Sequence, residues 1–416
     1  MQTSARRKVW LVYLDSIREV LTGPGIRTME LSSRLAAEGH EVHLVCVRCD
    51  RSLPEGMTWH PYRPEVVDEF CRGDAVIVSS EVSGRFVWKL CRSDIPFHLD
   101  SYNITATEVL ELGAEMTPRQ LNLNLLRRAM RYGTLWCRCE VGYLSAPVQA
   151  AILGGMFLHR RHPKWAKLAA RIPQKCLVAP MGIPSRPIPD AENPYPEALR
   201  GRQILLWGGG IWSWFDIEGL LHSMSMLRQR GSTAVLWFLA SENPSGISIH
   251  DAPFRKAKEL ASELGLLGSS VFFNSTKITP DMLPGYLAHC TAGIMANPAS
   301  LEAWCSWRTR LLDLMWAGKP LFTMGFDPLS EKMARDGAAS LSQAGDLTGF
   351  VSSLTRVLND PSSLHSMGIA SKSCGEAMTW DRNLEPILRR VSDPGAFADV
   401  GDPPQWSELI RYIAGV

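Results

Sequence analysis

The chain has 416 residues, of which 45% are hydrophobic and 21% are charged, and its formal net charge is +2. This length is more than one hydrophobic core usually organises, and it predicts two or three domains. The balanced charge argues against a general nucleic-acid-binding protein. No apolar run approaches the roughly 18–20 residues of a membrane-spanning helix, and no signal peptide is recognisable at the N-terminus. We therefore expect a soluble, cytoplasmic protein without a transmembrane segment.

The ten cysteines predict reduced, structural thiols. The close pairs are Cys46 with Cys49 and Cys137 with Cys139, and neither pair has a second ligand pair at the spacing of a zinc site. The chain also lacks the Asp-x-Asp motif of metal-dependent transferases. We therefore expect no metal ion in the functional site.

Along the first half, short apolar runs alternate with amphipathic stretches, which is the pattern of a parallel α/β sheet. Strands are predicted at 9–14, 41–47, 75–79 and 97–99, and another ends at Leu144. The residues Gly23-Pro24-Gly25-Ile26-Arg27 are predicted as a loop before a helix at 28–39. Gly25 allows a ligand to approach the backbone closely, and Arg27 is placed to reach an anion. The alternative is a plain strand-to-helix turn with a solvated Arg27.

Six prolines at positions 180, 184, 187, 189, 194 and 196 mark a break in the chain. We predict an N-terminal domain at 1–185, a linker at 186–200, a C-terminal domain at 201–380 and a helical tail at 381–416. The tail includes a helix at 406–413 and is expected to pack back toward the N-terminal domain. The second half repeats the alternation, with strands at 203–207, 235–240, 271–274, 293–296 and 321–323 and helices near 216–230, 252–264, 280–289 and 308–317. Two doubly wound halves predict a ligand site in a cleft, at the carboxyl ends of parallel strands.

Three consecutive glycines, Gly208, Gly209 and Gly210, follow the strand at 203–207. Such a run is costly in backbone entropy unless a ligand must pass close by. Ser213 stands where a dinucleotide fingerprint needs its third glycine, and Thr28 does so in the first loop, which excludes an NAD oxidoreductase. The aromatic residues that follow either wall a sugar or base pocket or pack between domains; they are Trp212, Trp214 and Phe215.

The segment 302–313 carries the strongest functional signal. Arg308 and Arg310 flank Thr309 at a predicted helix N-terminus, where the helix dipole and the guanidinium groups both attract phosphate. Asp313, one turn further on, is placed to accept two hydrogen bonds from a ribose diol. Together these groups fit a nucleotide diphosphate-sugar. The alternative is a surface helix in which Asp313 pairs with Arg310.

In their order and spacing these features resemble the GT-B glycosyltransferases of family four, the retaining group-one type, over nearly the whole chain. The resemblance is carried by four segments, which are 25–42, 207–216, 302–313 and 316–321. It implies an α/β fold of two Rossmann-like, doubly wound parallel-sheet domains that face each other across a cleft. It also suggests a natural-product branch of the family.

This resemblance implies the roles of the donor-site residues. Asp313 would bind the ribose hydroxyls, and Glu302 would lie near the hydroxyls of the donor sugar. The backbone at 306–309, with Ser306 and Thr309, would hold the diphosphate. The base would rest against Lys277, Ile278 and Thr279.

The sequence departs from the family pattern in two places. Asp313 replaces the second of two glutamates that are eight residues apart in many members, and Cys305 stands in place of the first. The loop at 208–216 lacks the usual Arg and Lys. The charge of the diphosphate would then be met by Arg308, Arg310, Lys277 and backbone amides.

On the acceptor side, His98 and Asp100 are candidates to orient or deprotonate an acceptor hydroxyl, and a structural hydrogen bond is the alternative. Acceptor choice would lie in the variable loops of the N-terminal half, where the segment 102–132 is long. The basic stretch 159–164 is suited to an anionic acceptor or to peripheral contact with a lipid surface, unless it is simply solvated.

The implied activity is transfer of a sugar from a nucleotide diphosphate-sugar, UDP before GDP, to an acceptor hydroxyl or amine. Transfer would proceed with retention and without a metal or other cofactor, and the acceptor would be a small natural product or an aminocyclitol. Two alternatives stay open. One is a catalytically silent nucleotide-sugar-binding relative or partner subunit, and the other is a sugar-nucleotide epimerase on the same fold.

Overall fold

The computed structural model describes residues 6–18, 21–113, 116–158, 163–239, 251–274 and 278–393. The chain divides into two compact units, Met1–Met181 with Asn383–Val416, and Gly182–Arg382. The predicted helix at 406–413, the predicted base-contacting Lys277 and the basic residues 159–162 lie outside the described residues.

The first unit is built on a seven-stranded sheet in which all paired strands are parallel, in the order β5-β3-β1-β6-β7-β8-β9. Its strands are β1 (Lys8–Val12), β3 (Glu41–Cys46), β5 (Met57–Pro61), β6 (Ala75–Ser79), β7 (His98–Asp100), β8 (Val141–Leu144) and β9 (Cys176–Val178). A small parallel pair is formed by β2 (Ser16–Ile17) and β4 (Arg48–Cys49). The strands at the centre of the sheet are buried on both faces, which explains why they appear in the sequence as continuous apolar runs.

The predicted loop before the first helix is wrong, because these residues form the first turns of that helix. The helix α1 (Gly23–Ala37) begins after Thr22, whose side chain accepts a hydrogen bond from the Gly25 amide at 3.4 Å. Pro24 in the first turn has a backbone angle that already suits a helix and needs no amide partner there. Arg27 therefore projects from a helix and not from a flexible loop.

The segment 102–132 is also helical and not a long loop. It contains α3 (Thr105–Leu112) and most of α4 (Pro118–Arg138). Thr117 and Gln120 form a capping box at the start of α4, with hydrogen bonds in both directions. The remaining helices of the first unit are α2 (Gly84–Arg92), α5 (Pro147–Leu158) and α6 (Pro163–Lys175).

The second unit contains a six-stranded parallel sheet in the order β12-β11-β10-β13-β14-β15. Its strands are β10 (Ile204–Trp207), β11 (Val235–Phe238), β12 (Val271–Phe273), β13 (Ala292–Ala296), β14 (Leu321–Met324) and β15 (Ala339–Ser342). This is the doubly wound order 3-2-1-4-5-6, in which the direction of winding reverses between β10 and β13. The predicted pair of Rossmann-like sheets is thus confirmed.

The helices of the second unit cover the sheet and end in α15, which spans the boundary with the first unit. They are α7 (Ile217–Gln229), α8 (Asp251–Glu263), α9 (Leu283–His289), α10 (Leu301–Cys305), α11 (Arg310–Trp316), α12 (Pro328–Arg335), α13 (Leu347–Leu358), α14 (Pro361–Glu376) and α15 (Trp380–Ser392). Gly293 in β13 lets α11 approach, since a Cβ there would lie 1.9 Å from Leu314 Cδ1. Close packing of α11 on β13 fixes the position of Arg310 and Asp313.

All ten cysteines are free thiols. No helix of the described residues is long and apolar enough to cross a membrane. Within the same residues, no group of three or more His, Cys, Asp or Glu side chains is arranged to hold a metal ion.

Candidate functional site

The candidate donor site lies where the second sheet reverses its winding. The glycine loop Gly208–Gly210 follows β10, and α10 follows the neighbouring strand β13. The Asp216 amide donates to the Ala296 carbonyl at 3.1 Å, which ties the far end of the loop to the end of β13. Carboxyl ends of adjacent parallel strands at such a reversal form the usual ligand crevice of open α/β sheets.

Glu302 and Arg308 form a buried, bidentate ion pair. Arg308 Nη1 and Nη2 donate to the two Glu302 carboxylate oxygens at 2.8 and 2.6 Å, and the side chains are only 5% and 1% exposed. Ser306 Oγ also donates to Glu302 Oε1 at 2.6 Å. Three hydrogen bonds therefore hold Glu302, and the charge of Arg308 is already balanced within the protein.

Arg310 has no such partner. No ion pair among the described residues includes it, and its only hydrogen bond runs from Nη2 to the Gly210 carbonyl at 3.1 Å. Its Nη1 atom is buried without a hydrogen-bond partner. Burial, followed by repulsion from Arg308, lowers the pKa of Arg310 below its ordinary value. An arginine in this state is suited to an anion that comes from outside the chain.

Aromatic rings take the place of a carboxylate beside Arg310. The guanidinium carbon lies 5.0 Å from the ring centre of Trp207 and 4.2 Å from that of Phe215. Phe215 also lies 4.6 Å from the guanidinium carbon of Arg308. Such cation–π contacts support a cation without neutralising it, so Arg310 keeps its full charge for a ligand.

The glycine loop lies directly against Arg310. Gly209 has a φ of +79°, which side chains rarely adopt, and a Cβ there would lie 3.6 Å from Arg310 Cζ. The Gly210 carbonyl accepts from Trp207 Nε1 at 3.3 Å as well as from Arg310. The three glycines therefore form a backbone cradle around the tip of one arginine.

Asp313 lies one helical turn beyond Arg310, but the two do not pair. Its carboxylate has neither an ion-pair partner nor a hydrogen-bond partner among the described residues, although the side chain is only partly exposed. Burial raises the pKa of Asp313 to about 7. The proposed surface pair with Arg310 is thus not formed, and the carboxylate is available to a ligand hydroxyl.

The helix N-terminus beside the two arginines begins later than the sequence predicts. The helix α11 begins at Arg310, so Arg308 precedes it. The Leu311 and Leu312 amides already donate to the Arg308 and Thr309 carbonyls at 2.9 and 3.0 Å. These two amides are therefore not available to a ligand, whereas the Arg310 side chain at the start of this seven-residue helix lacks an ion-pair partner among the described residues.

The sequence did not predict two buried polar residues of the second unit, Asp327 and Asn297. Asp327 is fully buried, accepts from the Leu329 and Ser330 amides at 3.1 and 3.0 Å, and accepts from Asn297 Nδ2 at 3.1 Å. Burial raises its pKa, while Arg308 and these hydrogen bonds oppose the rise. The sequence signal was Asp327 before Pro328, which is an N-cap pattern.

In the first unit, Arg27 and Asp100 form a second buried ion pair. Arg27 Nε donates to Asp100 Oδ2 at 2.9 Å and Nη2 donates to Oδ1 at 3.0 Å, while Nη1 donates to the Pro180 carbonyl at 3.2 Å. Arg27 is only 1% exposed, so it is neither solvated nor free to swing toward an anion. Gly25 lies two residues earlier in the same helix, where a Cβ would approach Leu21 at 3.3 Å.

His98 is engaged within the core of the first unit. Its Nδ1 bonds the Tyr143 hydroxyl at 2.8 Å, and its Nε2 lies 3.6 Å from Glu140 Oε2. Burial lowers the pKa of His98, although Glu140 opposes the shift. Both ring nitrogens thus face protein partners, whereas Asp100 ends β7 at the carboxyl edge of the sheet.

Of the predicted base-contacting segment, Ile278 and Thr279 are described and both are partly exposed. The Thr279 carbonyl accepts from the Met282 amide at 3.1 Å, just before α9. In the second unit the structure joins Gly208, Gly209 and Gly210 to Arg310, and joins Glu302 and Ser306 to Arg308, while Thr309 and Asp313 lie in the same segment of the chain. In the first unit it pairs Arg27 with Asp100, but it places Gly25 against Leu21 and His98 against Tyr143.

No protein-family model matches this chain, and no curated protein sequence matches it. Solved structures do match it. A sucrose-phosphate synthase from Thermosynechococcus elongatus is 15% identical, with a TM-score of 0.66 over 94% of this chain and 100% of the other. The fold is that of the GT-B glycosyltransferases.

Two further structures extend this similarity. A UDP-forming α,α-trehalose-phosphate synthase from Burkholderia xenovorans is 9% identical, with a TM-score of 0.68 over 94% of this chain and 100% of the other. HepE from Anabaena, solved in complex with UDP and glucose, is 10% identical, with a TM-score of 0.64 over 93% of this chain and 100% of the other. At these identities the likeness concerns the fold, which confirms the fold class that the sequence predicted.

Proposed function

We propose that this protein is a glycosyltransferase that moves a sugar from a nucleotide diphosphate-sugar to a hydroxyl or amine of an acceptor. The observation that carries the proposal is Arg310, which has no carboxylate partner in the described part of the chain and lies against three glycines at the carboxyl ends of β10 and β13. A diphosphate supplies the missing negative charge. The UDP complexes among the proteins of similar fold favour UDP over GDP.

The proposed reaction depends mainly on electrostatic stabilisation of the departing diphosphate. The bond between the anomeric carbon and the diphosphate oxygen breaks, the anomeric carbon bonds to the acceptor, and negative charge grows on the departing diphosphate. A fixed guanidinium beside the leaving oxygens stabilises that charge as it develops. Arg310 supplies this charge from the protein itself, which supports a reaction that proceeds without a metal or other cofactor.

Retention of configuration follows from the resemblance to family four. In such a reaction the acceptor approaches the face that the leaving group vacates. The acceptor proton passes to a diphosphate oxygen, so no side-chain base is required. The surroundings of His98 are consistent with this assignment, because its Nδ1 is hydrogen-bonded to Tyr143 and its Nε2 faces Glu140.

Two carboxylates take separate roles in the donor site. Asp313, which has no ion-pair or hydrogen-bond partner among the described residues, binds the ribose hydroxyls. Glu302, held by Ser306 and Arg308, fixes the backbone at 306–309 and orients it toward the diphosphate and sugar. Arg308 thus acts on the ligand through the backbone that it positions.

On the acceptor side, we assign Asp100 to orient the acceptor hydroxyl or amine. Arg27 holds this carboxylate bidentately at the end of β7, which fixes its orientation. The acceptor class that we propose is a small natural product or aminocyclitol, since a cationic amine suits a carboxylate. A cytoplasmic location stays a prediction.

A second candidate function is a catalytically silent nucleotide-sugar-binding relative. It is favoured by the glycine loop, which carries neither the Arg nor the Lys of most family members. Detection of sugar transfer to any acceptor, or of slow hydrolysis of the donor, separates the enzyme from the silent relative.

The decisive experiment is calorimetric titration with UDP, GDP, dTDP and ADP, each with and without EDTA. We expect UDP to bind best and EDTA to have no effect. Arg310→Ala should weaken UDP binding by tenfold or more, because a hydrogen bond to a charged group contributes about 1.5–3 kcal/mol. Arg356→Ala, which removes an exposed arginine of the same unit, should leave the affinity unchanged. No binding of any nucleotide refutes the proposal.

A further inference from the structure

A pair of stacked tryptophans follows the glycine loop. The rings of Trp212 and Trp214 lie 5.1 Å apart with an interplanar angle of 7°, and both side chains are partly exposed. Aromatic rings of this size usually bury most of their surface. Two of them kept parallel and partly open to solvent leave apolar ring surface exposed.

This pair is held in place by its neighbours on both sides. Ile211 and Phe215 are 2% and 7% exposed, and the Phe215 ring packs edge-on against Trp207 at 5.1 Å. The Phe215 amide donates to the Trp212 carbonyl at 3.2 Å, which closes the turn between them. The turn that bears the two indoles is therefore fixed at both ends by buried side chains.

The pair also lies next to the cation that binds the diphosphate in the proposed function. A Cβ at Gly210 would meet the Trp212 ring at 3.3 Å, and the carbonyl of the same glycine accepts from Arg310 Nη2 at 3.1 Å. Any side chain at Gly210 would press on the indole. Gly210 thus lies between the Trp212 ring and the Arg310 side chain.

We propose that Trp212 and Trp214 form a stacking platform for the pyranose ring of the donor sugar. This inference rests on the proposed function and adds a sugar subsite to it. Asp313 lies one helical turn after Arg310 in α11, and Gly210 links the guanidinium end of Arg310 to the Trp212 ring. A carboxylate, a cation and an apolar face in this order match the ribose, the diphosphate and the sugar of one donor molecule.

The chemistry of the platform favours a sugar over the other parts of the ligand. A pyranose has a face of C–H groups that packs on an aromatic ring while its hydroxyls point to the rim. The nucleobase is attached to the ribose, on the Asp313 side of Arg310, and the diphosphate is too polar for an indole face. An aromatic acceptor is the remaining occupant, and the experiment below separates it from the sugar.

The test compares UDP with UDP-sugars on the full-length protein. Calorimetry gives the dissociation constants of UDP, UDP-glucose, UDP-galactose and UDP-N-acetylglucosamine for the wild type, Trp212→Ala, Trp214→Ala and Trp214→Phe. For at least one sugar, the alanine variants should lose about tenfold in affinity relative to UDP, equivalent to about 1.4 kcal/mol. Trp214→Phe, which keeps a stacking ring, should recover part of this loss.

Trp88→Ala serves as the matched control, because it removes an indole that is 49% exposed from α2 of the first unit. Trp88→Ala should change neither the dissociation constant of UDP nor those of the UDP-sugars. Equal losses for UDP and every UDP-sugar would mean that the pair only supports the glycine loop, and unchanged constants would point to an acceptor or packing role. Both outcomes overturn this inference and leave the proposed function standing. A wild-type protein that binds no nucleotide refutes the proposed function, and this inference with it.

Discussion

Asp313→Asn should stabilise the protein at neutral and alkaline pH while it weakens nucleotide binding. Burial raises the pKa of Asp313 to about 7, whereas the pKa of an aspartate in the unfolded chain is about 3.9. The folded state therefore holds a proton between these two values that the unfolded state has released. Folding stability falls as the pH rises through this window, and the whole penalty is present above pH ~7.

The size of the penalty can be bounded from the shift. The pKa moves from 3.8 to about 7, and each pKa unit corresponds to about 1.4 kcal/mol, so about 4 kcal/mol is the upper limit. Asp313 keeps partial contact with water, which screens the charge and reduces its cost. We expect Asp313→Asn to raise the free energy of unfolding by about 1–2 kcal/mol at pH 8 and by much less at pH 4.5.

Urea denaturation of both proteins between pH 4.5 and 8.5 measures this difference. Asp281→Asn is the matched control, because Asp281 is an exposed aspartate of the same unit, and its curve should follow the wild type throughout. Titration with UDP on the same samples should show wild-type affinity rising from pH 6 to 8, as the carboxylate ionises. The variant should bind more weakly at every pH and without that rise. A stability difference that is constant with pH, or that grows toward acid, would refute this account of Asp313.

Two further predictions concern the ionic cluster and the glycine loop. Glu302→Gln leaves Arg308 as an uncompensated buried charge and should lower the free energy of unfolding by about 3–5 kcal/mol in urea denaturation; a loss below about 1 kcal/mol would contradict the buried pair. Gly209→Ala and Gly201→Ala both place a side chain at positive φ and should each cost about 1–2 kcal/mol. In UDP titration only Gly209→Ala should weaken binding, because only Gly209 lies against Arg310, and equal effects of the two alanines would contradict the cradle.

The parallel strands could be predicted from the sequence because each is a short apolar run buried on both faces. The strand predicted at 75–79 matches β6 residue for residue, and the helix predicted near 216–230 matches α7 within one residue at each end. The first residues of the helices were harder to predict from the sequence. The α1 start depends on whether the Thr22 side chain reaches the Gly25 amide, and the two glycines there favour a loop by composition alone.

The sequence places several candidate site residues in one short segment, but it does not predict how Arg308 and Arg310 differ in their contacts. Arg308 and Arg310 look equivalent in the sequence, since they flank one threonine. Their difference arises from the turn between α10 and α11, which brings Arg308 back onto Glu302 six positions earlier. That spacing matches neither of the i, i+3 and i, i+4 rules of a continuous helix. Asp327 was missed because its contact with Asn297 spans 30 residues.

The glycine loop Gly208–Gly210 is best understood together with Arg310, which has no ion-pair partner among the described residues. A loop with its own Arg or Lys would bring the positive charge from β10, and Arg310 beside it would then be repelled. Three glycines remove that charge and leave room for Arg310 to reach across from α11 and donate to the Gly210 carbonyl. The Trp207 and Phe215 rings support the guanidinium in place of a carboxylate. Positive charge beside the glycine loop therefore comes from Arg310 on the neighbouring helix α11, which is consistent with the proposed binding of a diphosphate.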